Sequence, residues 1–155
     1  MAYGRQVLGT LGGNLEVTAD GSPVAKAAGV TIDWSTVTAV SGSDVTLNDG
    51  QVIPIGSKYL RYGQVITKIT SGGKYGPYDP ADAAGGRDLL VRCRAFIVNR
   101  TAVNTEPADE HPEVIEGGRV YRARIIQSEA ATHTLALGPT FAELNATFPD
   151  LRYVE

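Results

Sequence analysis

Between Gly63 and Pro80 the chain reads Gly-Gln-Val-Ile-Thr-Lys-Ile-Thr-Ser-Gly-Gly-Lys-Tyr-Gly-Pro-Tyr-Asp-Pro. Val65, Ile66 and Ile69 favour a strand, and Ser71-Gly72-Gly73 breaks it where positive φ carries no steric cost. The segment that follows is barred from the interior of a sheet, because Pro77 and Pro80 have no N–H to give to a ladder. Tyr75 and Tyr78 are therefore expected on a stiff, extended loop. The same punctuation recurs along the chain, with 18 glycines and 8 prolines scattered among 155 residues. Such a chain is predicted to form many short strands joined by tight turns.

One domain of this length buries roughly 70% of its unfolded surface, enough for a core without covalent staples. The single cysteine, Cys93, cannot form an internal disulfide and fits assembly in a reducing cytoplasm. A net charge of −3 disfavours a binder of phosphate backbones, so nucleic acid is not an expected partner. A signal-peptide pattern and an apolar run of membrane-spanning length are both missing from the sequence, and a membrane is not an expected partner.

The pattern divides the chain into an N-terminal arm, residues 1–28, and a single β-rich domain, residues 29–155. In the arm, Val7, Leu8, Leu11, Leu15 and Val17 sit between glycines without a sustained period. It reads either as an edge strand of the domain or as a segment that orders on a partner by adding to a sheet edge. Val30, Ile32 and Trp34 alternate with Thr31, Asp33 and Ser35 as a strand with one buried face. Residues 44–55 read as a hairpin turning at Asn48-Asp49-Gly50. Tyr59 to Gly63 leads by a turn into a strand over residues 64–70. Asp79 followed by Pro80 predicts one capped helical turn before Gly85-Gly86. Residues 88–98 and 120–127 each alternate apolar residues with arginines, Arg92 and Arg94 in the first and Arg122 and Arg124 in the second. Between them, residues 104–118 carry Glu106, Asp109, Glu110, Glu113 and Glu116 and read as a long acidic loop. Thr140-Phe141-Ala142-Glu143 is a capping box opening a helix over 141–146, whose Phe141 and Leu144, with Phe148, would seal the β core.

The parts of an enzyme are scarce. Cys93 falls on the apolar side of its expected strand, which predicts a buried, inert thiol. His111 and His133 have no ligand spacing with each other or with Cys93, so no metal site and no cofactor are expected. Asp79 and Asp82 are accounted for as helix caps, and the acidic loop as a solvated surface. The arginines of the two strands would form a basic stripe if those strands are neighbours, either solvated or paired with carboxylates of another copy. Exposed pairs of this kind contribute only ~0–1 kcal/mol each, so an interface needs an apolar centre, for which Tyr75 and Tyr78 are candidates.

The order strand, Ser-Gly-Gly-Lys-Tyr-Gly-Pro-Tyr-Asp-Pro-Ala, small residues, glycine, strand, over about residues 56–97, resembles the head decoration proteins of tailed bacteriophages, the phage lambda type. The resemblance implies a mainly β fold, a compact β-barrel or β-sandwich-like domain with one short helical turn, a short C-terminal helix and an extended arm. It implies a structural virion protein, not an enzyme, assembled in the bacterial cytoplasm and bound as a homotrimer to the outer capsid surface. Its partner would be the major capsid protein, engaged by arm residues such as Tyr3, Arg5, Val7 and Leu8. Contacts between copies would draw on Tyr75, Pro77, Tyr78, Arg92 and Arg94. Two rival readings come from the residues themselves: a carbohydrate-binding β-domain stacking Tyr59, Tyr62, Tyr75 and Tyr78 on sugar rings, and a hydrolase using Asp79 or Glu110.

Overall fold

A computed structural model describes residues 18–19, 24–25, 30–47, 50–104, 112–125 and 138–155. Among the described residues, the strands in chain order are β1 (Val24–Ala25), β2 (Val45–Thr46), β3 (Val52–Ile53), β4 (Tyr59–Leu60), β5 (Val65–Lys68), β6 (Tyr75–Pro77), β7 (Ala95–Val98), β8 (Ala102–Val103), β9 (Val114–Tyr121) and β10 (Leu151–Val154), with an α-helix, α1 (Phe141–Thr147), before the last. Six strands form the main sheet in the order β1-β9-β7-β5-β6, with β10 also on β9; β2–β3 and β4–β8 are separate pairs. The fold is mainly β, as expected. The sheet does not close into a barrel, since β1 and β6 stand at its opposite ends.

The middle of this sheet is covered on both faces. Register pairs Val65 with Ile97 and Ile97 with Ile115, and all three side chains enter one apolar cluster. The neighbouring pairs, Ile66 with Phe96 and Val98 with Val114, enter a second cluster. Successive side chains of a strand point to opposite faces, so the two clusters lie on opposite sides of the sheet. Leu144 and Phe148 from the region of α1 join the first cluster; Val30, Ile32, Val37 and Tyr75 join the second. A third, smaller cluster of Val40, Leu47, Ile53, Tyr59 and Val103 fills the space under the two small sheets.

Several local expectations hold. The hairpin pairs Val45 with Ile53 and Thr46 with Val52, and Gly50 has φ +85° at its turn. Gly72 and Gly73 both take positive φ between β5 and β6. The Thr140 hydroxyl accepts from the Glu143 N–H while the Glu143 carboxylate accepts from the Thr140 N–H, a complete capping box. The Asp79 carboxylate accepts from the Ala81 N–H at 3.0 Å, capping a turn that does not grow into a helix.

Others are corrected. Val30 and Ile32 are buried, but their pairing is a single parallel bridge from Ile32 to Tyr75, and Trp34 opens a 3-10 helix capped by Asp33. Trp34 packs against the second cluster all the same. Tyr59 and Leu60 form β4 instead of a turn, because their partner β8 comes from the distant residues 102–103. The strand expected over 88–98 is only Ala95–Val98, all four residues buried, and the residues before it form turns. The expected alternation fails there because a strand buried on both faces has no solvent side for arginines. The strand expected over 120–127 is displaced toward the N-terminus, to Val114–Tyr121, followed by a 3-10 helix at Arg122–Arg124. Residues 114–118 of the expected acidic loop are thus strand, and 105–111 lie outside the described residues.

β9 accommodates two sets of partners through a glycine bulge. Val24 lies opposite Gly117 and Ala25 opposite Ile115, so Glu116 is skipped, and Gly118 has φ +101°. Ile115 and Val120 would face opposite ways in a regular strand, yet both enter the first cluster. Beyond the bulge β9 pairs in parallel with β10, from Leu151 opposite Gly118 to Val154 opposite Tyr121. Thr18 bridges Val120, so the described parts of the expected arm pair with the domain's own sheet.

Gly63 is the tightest backbone approach. It has φ +82°, its N–H donates to the Val98 carbonyl at 2.8 Å, and an added Cβ would overlap the Arg124 carbonyl. Gly42 has φ +85° with nothing near its Cβ position. Urea unfolding should therefore show Gly63→Ala losing about 3 kcal/mol or more and Gly42→Ala about 1 kcal/mol, since the second carries only the conformational cost. Equal losses would show that the overlap is relieved by backbone movement.

Candidate functional site

The Lys74–Pro80 segment is the site the sequence marks, and its main chain forms β6 at the edge of the sheet. Lys68 lies opposite Tyr75, Thr67 opposite Gly76 and Ile66 opposite Pro77. An extended loop was expected; an edge strand is the sheet position that tolerates proline. On its outer side the Tyr75 N–H donates to Thr31 and the Tyr75 carbonyl accepts from Asp33, at 2.9 and 2.8 Å.

Behind this strand sits Arg87, which the sequence analysis did not single out. Its Nε contacts Asp82 Oδ2 at 2.6 Å, its Nη2 lies 3.5 Å from Asp79 Oδ2, and its Nη1 donates to the Pro77 carbonyl at 3.2 Å. Its own carbonyl accepts from the Thr67 hydroxyl and from the Asp79 N–H. One largely buried guanidinium thus ties the end of β6 to the turn that follows. The glycines around it are demanded by this packing. A Cβ on Gly76 would press on Thr36 Oγ1 and the Arg87 side chain, and one on Gly85 would meet the Asp82 carboxylate, which accepts from the Gly85 N–H at 3.0 Å. The signal in the sequence was the spacing Asp79-x-x-Asp82 ahead of Gly85-Gly86-Arg87, two carboxylates and a cation around a turn.

These carboxylates are occupied structurally. The Arg87 hydrogen bond, helped by the Gly85 N–H, holds Asp82 below its ordinary value of 3.8. A group with a depressed folded pKa stabilises the fold above its unfolded pKa and loses that contribution as pH falls through the folded one. Arg87→Met should cost about 1–3 kcal/mol at neutral pH by freeing two carboxylates and one carbonyl. The gap between wild type and variant, followed by urea unfolding, should narrow as pH drops below about 4. A gap independent of pH would show that the ion pairs contribute nothing.

The tyrosines expected at the surface are inside. Relative exposures are 1% for Tyr59, 2% for Tyr62, 6% for Tyr75 and 9% for Tyr78. Tyr75 packs edge-on against Phe96 at 5.7 Å, and burial raises the pKa of both Tyr75 and Tyr78. Ring faces committed to the core cannot stack on sugars, which removes the platform of the carbohydrate reading. Pro77 is buried with them. Large apolar side chains surface elsewhere, at Val52 and Ile55 near the hairpin and at Leu89 and Val91 in the turns before β7.

The arginines do not form a stripe on paired strands. Arg92 lies in the turns before β7 and pairs with Asp150 at 3.5 Å, both well exposed. Arg94 is half-buried and donates to the Lys68 carbonyl. Arg122 lies over Phe141 at 4.4 Å and reaches Glu155, and Arg124 lies over Tyr121 at 4.2 Å. The expected arm contacts Tyr3, Arg5, Val7 and Leu8 lie outside the described residues, as do His111, His133, Glu106, Asp109 and Glu110. Among the described residues, no group of three or more His, Cys, Asp or Glu is placed to hold a metal ion.

Cys93 is exposed, with φ +69°, against the expectation of a buried strand residue. The reason is that the chain turns at residues 92–94 before entering β7. The thiol should react with a disulfide reagent in the folded protein nearly as fast as in urea. Cys93→Gly should gain about 1 kcal/mol of stability by relieving the left-handed backbone; a protected thiol or a destabilised glycine variant would contradict this geometry. In comparison with known proteins, no family model, curated protein or solved structure matches the chain.

Proposed function

We propose that this protein is a capsid decoration protein of a tailed bacteriophage, binding the outside of the shell as a homotrimer and stabilising it by clamping neighbouring capsid subunits. The observation that carries this reading is the Lys74–Pro80 segment. Its residues are the ones that resemble the decoration family, and its side chains are spent on the fold: Tyr75 and Tyr78 in the core, Asp79 on Arg87. A segment used in this way supports a scaffold role over a catalytic one.

The mechanism follows from multivalency. Three copies, each offering an arm and exposed apolar side chains such as Val52, Ile55, Leu89 and Val91, engage several capsid subunits at once, and individually weak contacts combine into tight binding. A protein that binds the expanded shell but not dissociated subunits stabilises that shell by mass action.

Co-sedimentation tests this directly. The full chain should pellet with expanded heads of a tailed phage and raise their resistance to heat or chelators, and should not pellet with unexpanded heads. Deleting residues 1–13 should abolish pelleting while leaving the circular dichroism of the domain unchanged. Absence of binding by the full chain to expanded heads would sink the decoration reading. Undiminished binding by the deletion variant would sink the role of the arm alone.

A further inference from the structure

Directly after β6 the chain reads Tyr78-Asp79-Pro80-Ala81, and this is the one Asp-Pro pair among its 155 residues. An aspartyl carboxyl lies close enough to its own main-chain carbonyl to attack it, closing a five-membered ring. At other aspartates the next backbone nitrogen can attack the side chain instead. Proline has no N–H to lose, so that route is barred, and its tertiary amide nitrogen leaves readily once protonated. Acid-promoted scission is therefore concentrated at this bond.

The fold controls whether the carboxyl can act. Both of its oxygens are engaged: Oδ1 accepts from the Ala81 N–H at 3.0 Å, and Oδ2 lies 3.5 Å from Arg87 Nη2. The Asp79 carbonyl, the group under attack, accepts from the Asp82 N–H at 3.1 Å. The Asp79 N–H donates to the Arg87 carbonyl at 3.1 Å, so Arg87 grips this residue by side chain and main chain alike. To reach the carbonyl carbon, a carboxyl oxygen must leave one of these partners. Arg87 holds it by charge, and acid weakens such a hold by protonating carboxylates. The same guanidinium holds Asp82, and Asp79, Asp88 and Glu143 add to the effect of burial in raising the Tyr78 pKa, so these are the titrating groups around the turn. Pro80 and Ala81 are exposed, which leaves the bond open to water.

The consequence of scission follows from the topology. The cut leaves β1 to β6 in one fragment and β7 to β10 with α1 in the other. The strand pairs β1–β9, β5–β7 and β4–β8 each join one fragment to the other. Both larger core clusters are shared as well. Val65 and Tyr78 meet Ile97 and Leu144 in the first, and Ile66 and Tyr75 meet Phe96 and Val114 in the second. Neither fragment holds either cluster whole, so burial keeps the halves together after the backbone opens.

We propose that the Asp79–Pro80 bond is an acid-labile processing site, restrained by Arg87, at which the chain opens into two fragments that remain folded as one body. In the step, a carboxyl oxygen of Asp79 bonds to the Asp79 carbonyl carbon and the carbon–nitrogen bond to Pro80 breaks. The proline nitrogen departs as an amine carrying a proton from the acid. Water then opens the cyclic anhydride to a C-terminal aspartic acid, so the sum is hydrolysis of one peptide bond by one water. The inference stands apart from the decoration reading, whose test is pelleting with heads.

Intact-mass measurement of the full chain tests it, at the lowest pH at which the native circular dichroism is kept. Cleavage of wild type should be confined to fragments 1–79 and 80–155, natively and in urea. It should be at least about tenfold faster in urea at the same pH, where no contact restrains Asp79. Arg87→Met, checked for native circular dichroism, should cleave about tenfold faster than wild type without urea. Asp79→Asn keeps an acceptor for the Ala81 N–H and should not cleave, and Pro80→Ala should cleave about tenfold more slowly in urea. Returned to neutral pH, the cut protein should elute with the intact chain in gel filtration and separate into two species only in urea. A wild type left whole in urea, cleavage at other bonds, undiminished cleavage of Asp79→Asn or Pro80→Ala, a rate unchanged by urea or by Arg87→Met, or fragments that part at neutral pH would each overturn the proposal.

Discussion

The structure depends on the burial of one short sheet from both sides. Ordering a residue's backbone costs about 1–2 kcal/mol, and fully burying a large apolar side chain returns about 1.5–3 kcal/mol. A four-residue strand with only one buried face gains from two side chains and is close to neutral. β7, with Ala95, Phe96, Ile97 and Val98 all buried, gains from every position. This is why segments remote in sequence, residues 30–37 on one side and 141–151 on the other, must close over the sheet before its central strands are stable.

That constraint also decides what could be read from the sequence. Elements specified by local chemistry were legible: the 45–53 hairpin by its glycine turn, α1 by its capping box, the end of β5 by Gly72-Gly73. Elements specified by distant partners were not. β4 is two residues whose identity as strand depends on Ala102 and Val103. β9 lay half within an acidic stretch, and the alternation that would reveal it is interrupted at Gly117-Gly118, where the bulge exchanges its faces. The alternation at residues 89–97 was genuine in the sequence but misleading: Leu89, Val91 and Cys93 belong to exposed turns, and only Ala95 and Ile97 reach the core.

The candidate site shows the same division. The Lys74–Pro80 segment was legible as conformation, an edge position imposed by its prolines, but not as environment. Nothing in a tyrosine's neighbours reveals whether its ring faces solvent, and here Tyr75 and Tyr78 complete two different core clusters on opposite faces of the sheet. Arg87 is the converse case. It is one of 14 basic residues, and its importance comes from Asp79, Asp82 and Pro77 converging on it from 5 to 10 residues away. The small residues nearby answer to different neighbours: a Cβ would meet Thr36 Oγ1 and then the Arg87 Cδ at Gly76, the Asp82 carboxylate at Gly85 and Thr70 Oγ1 at Gly86.

An interior arranged in this way restricts where function can reside. The described tyrosines of the central motif, its two aspartates and the nearest arginine all have partners within the chain. The two aspartates of the motif are held by Arg87, and its tyrosine rings by the two core clusters. The large apolar side chains that remain exposed, Val52, Ile55, Leu89 and Val91, lie away from this interior. They are distributed and shallow. A single shallow contact binds weakly, because the entropy lost on association is large compared with the few side chains it buries. Such surfaces become effective when several weak contacts act together.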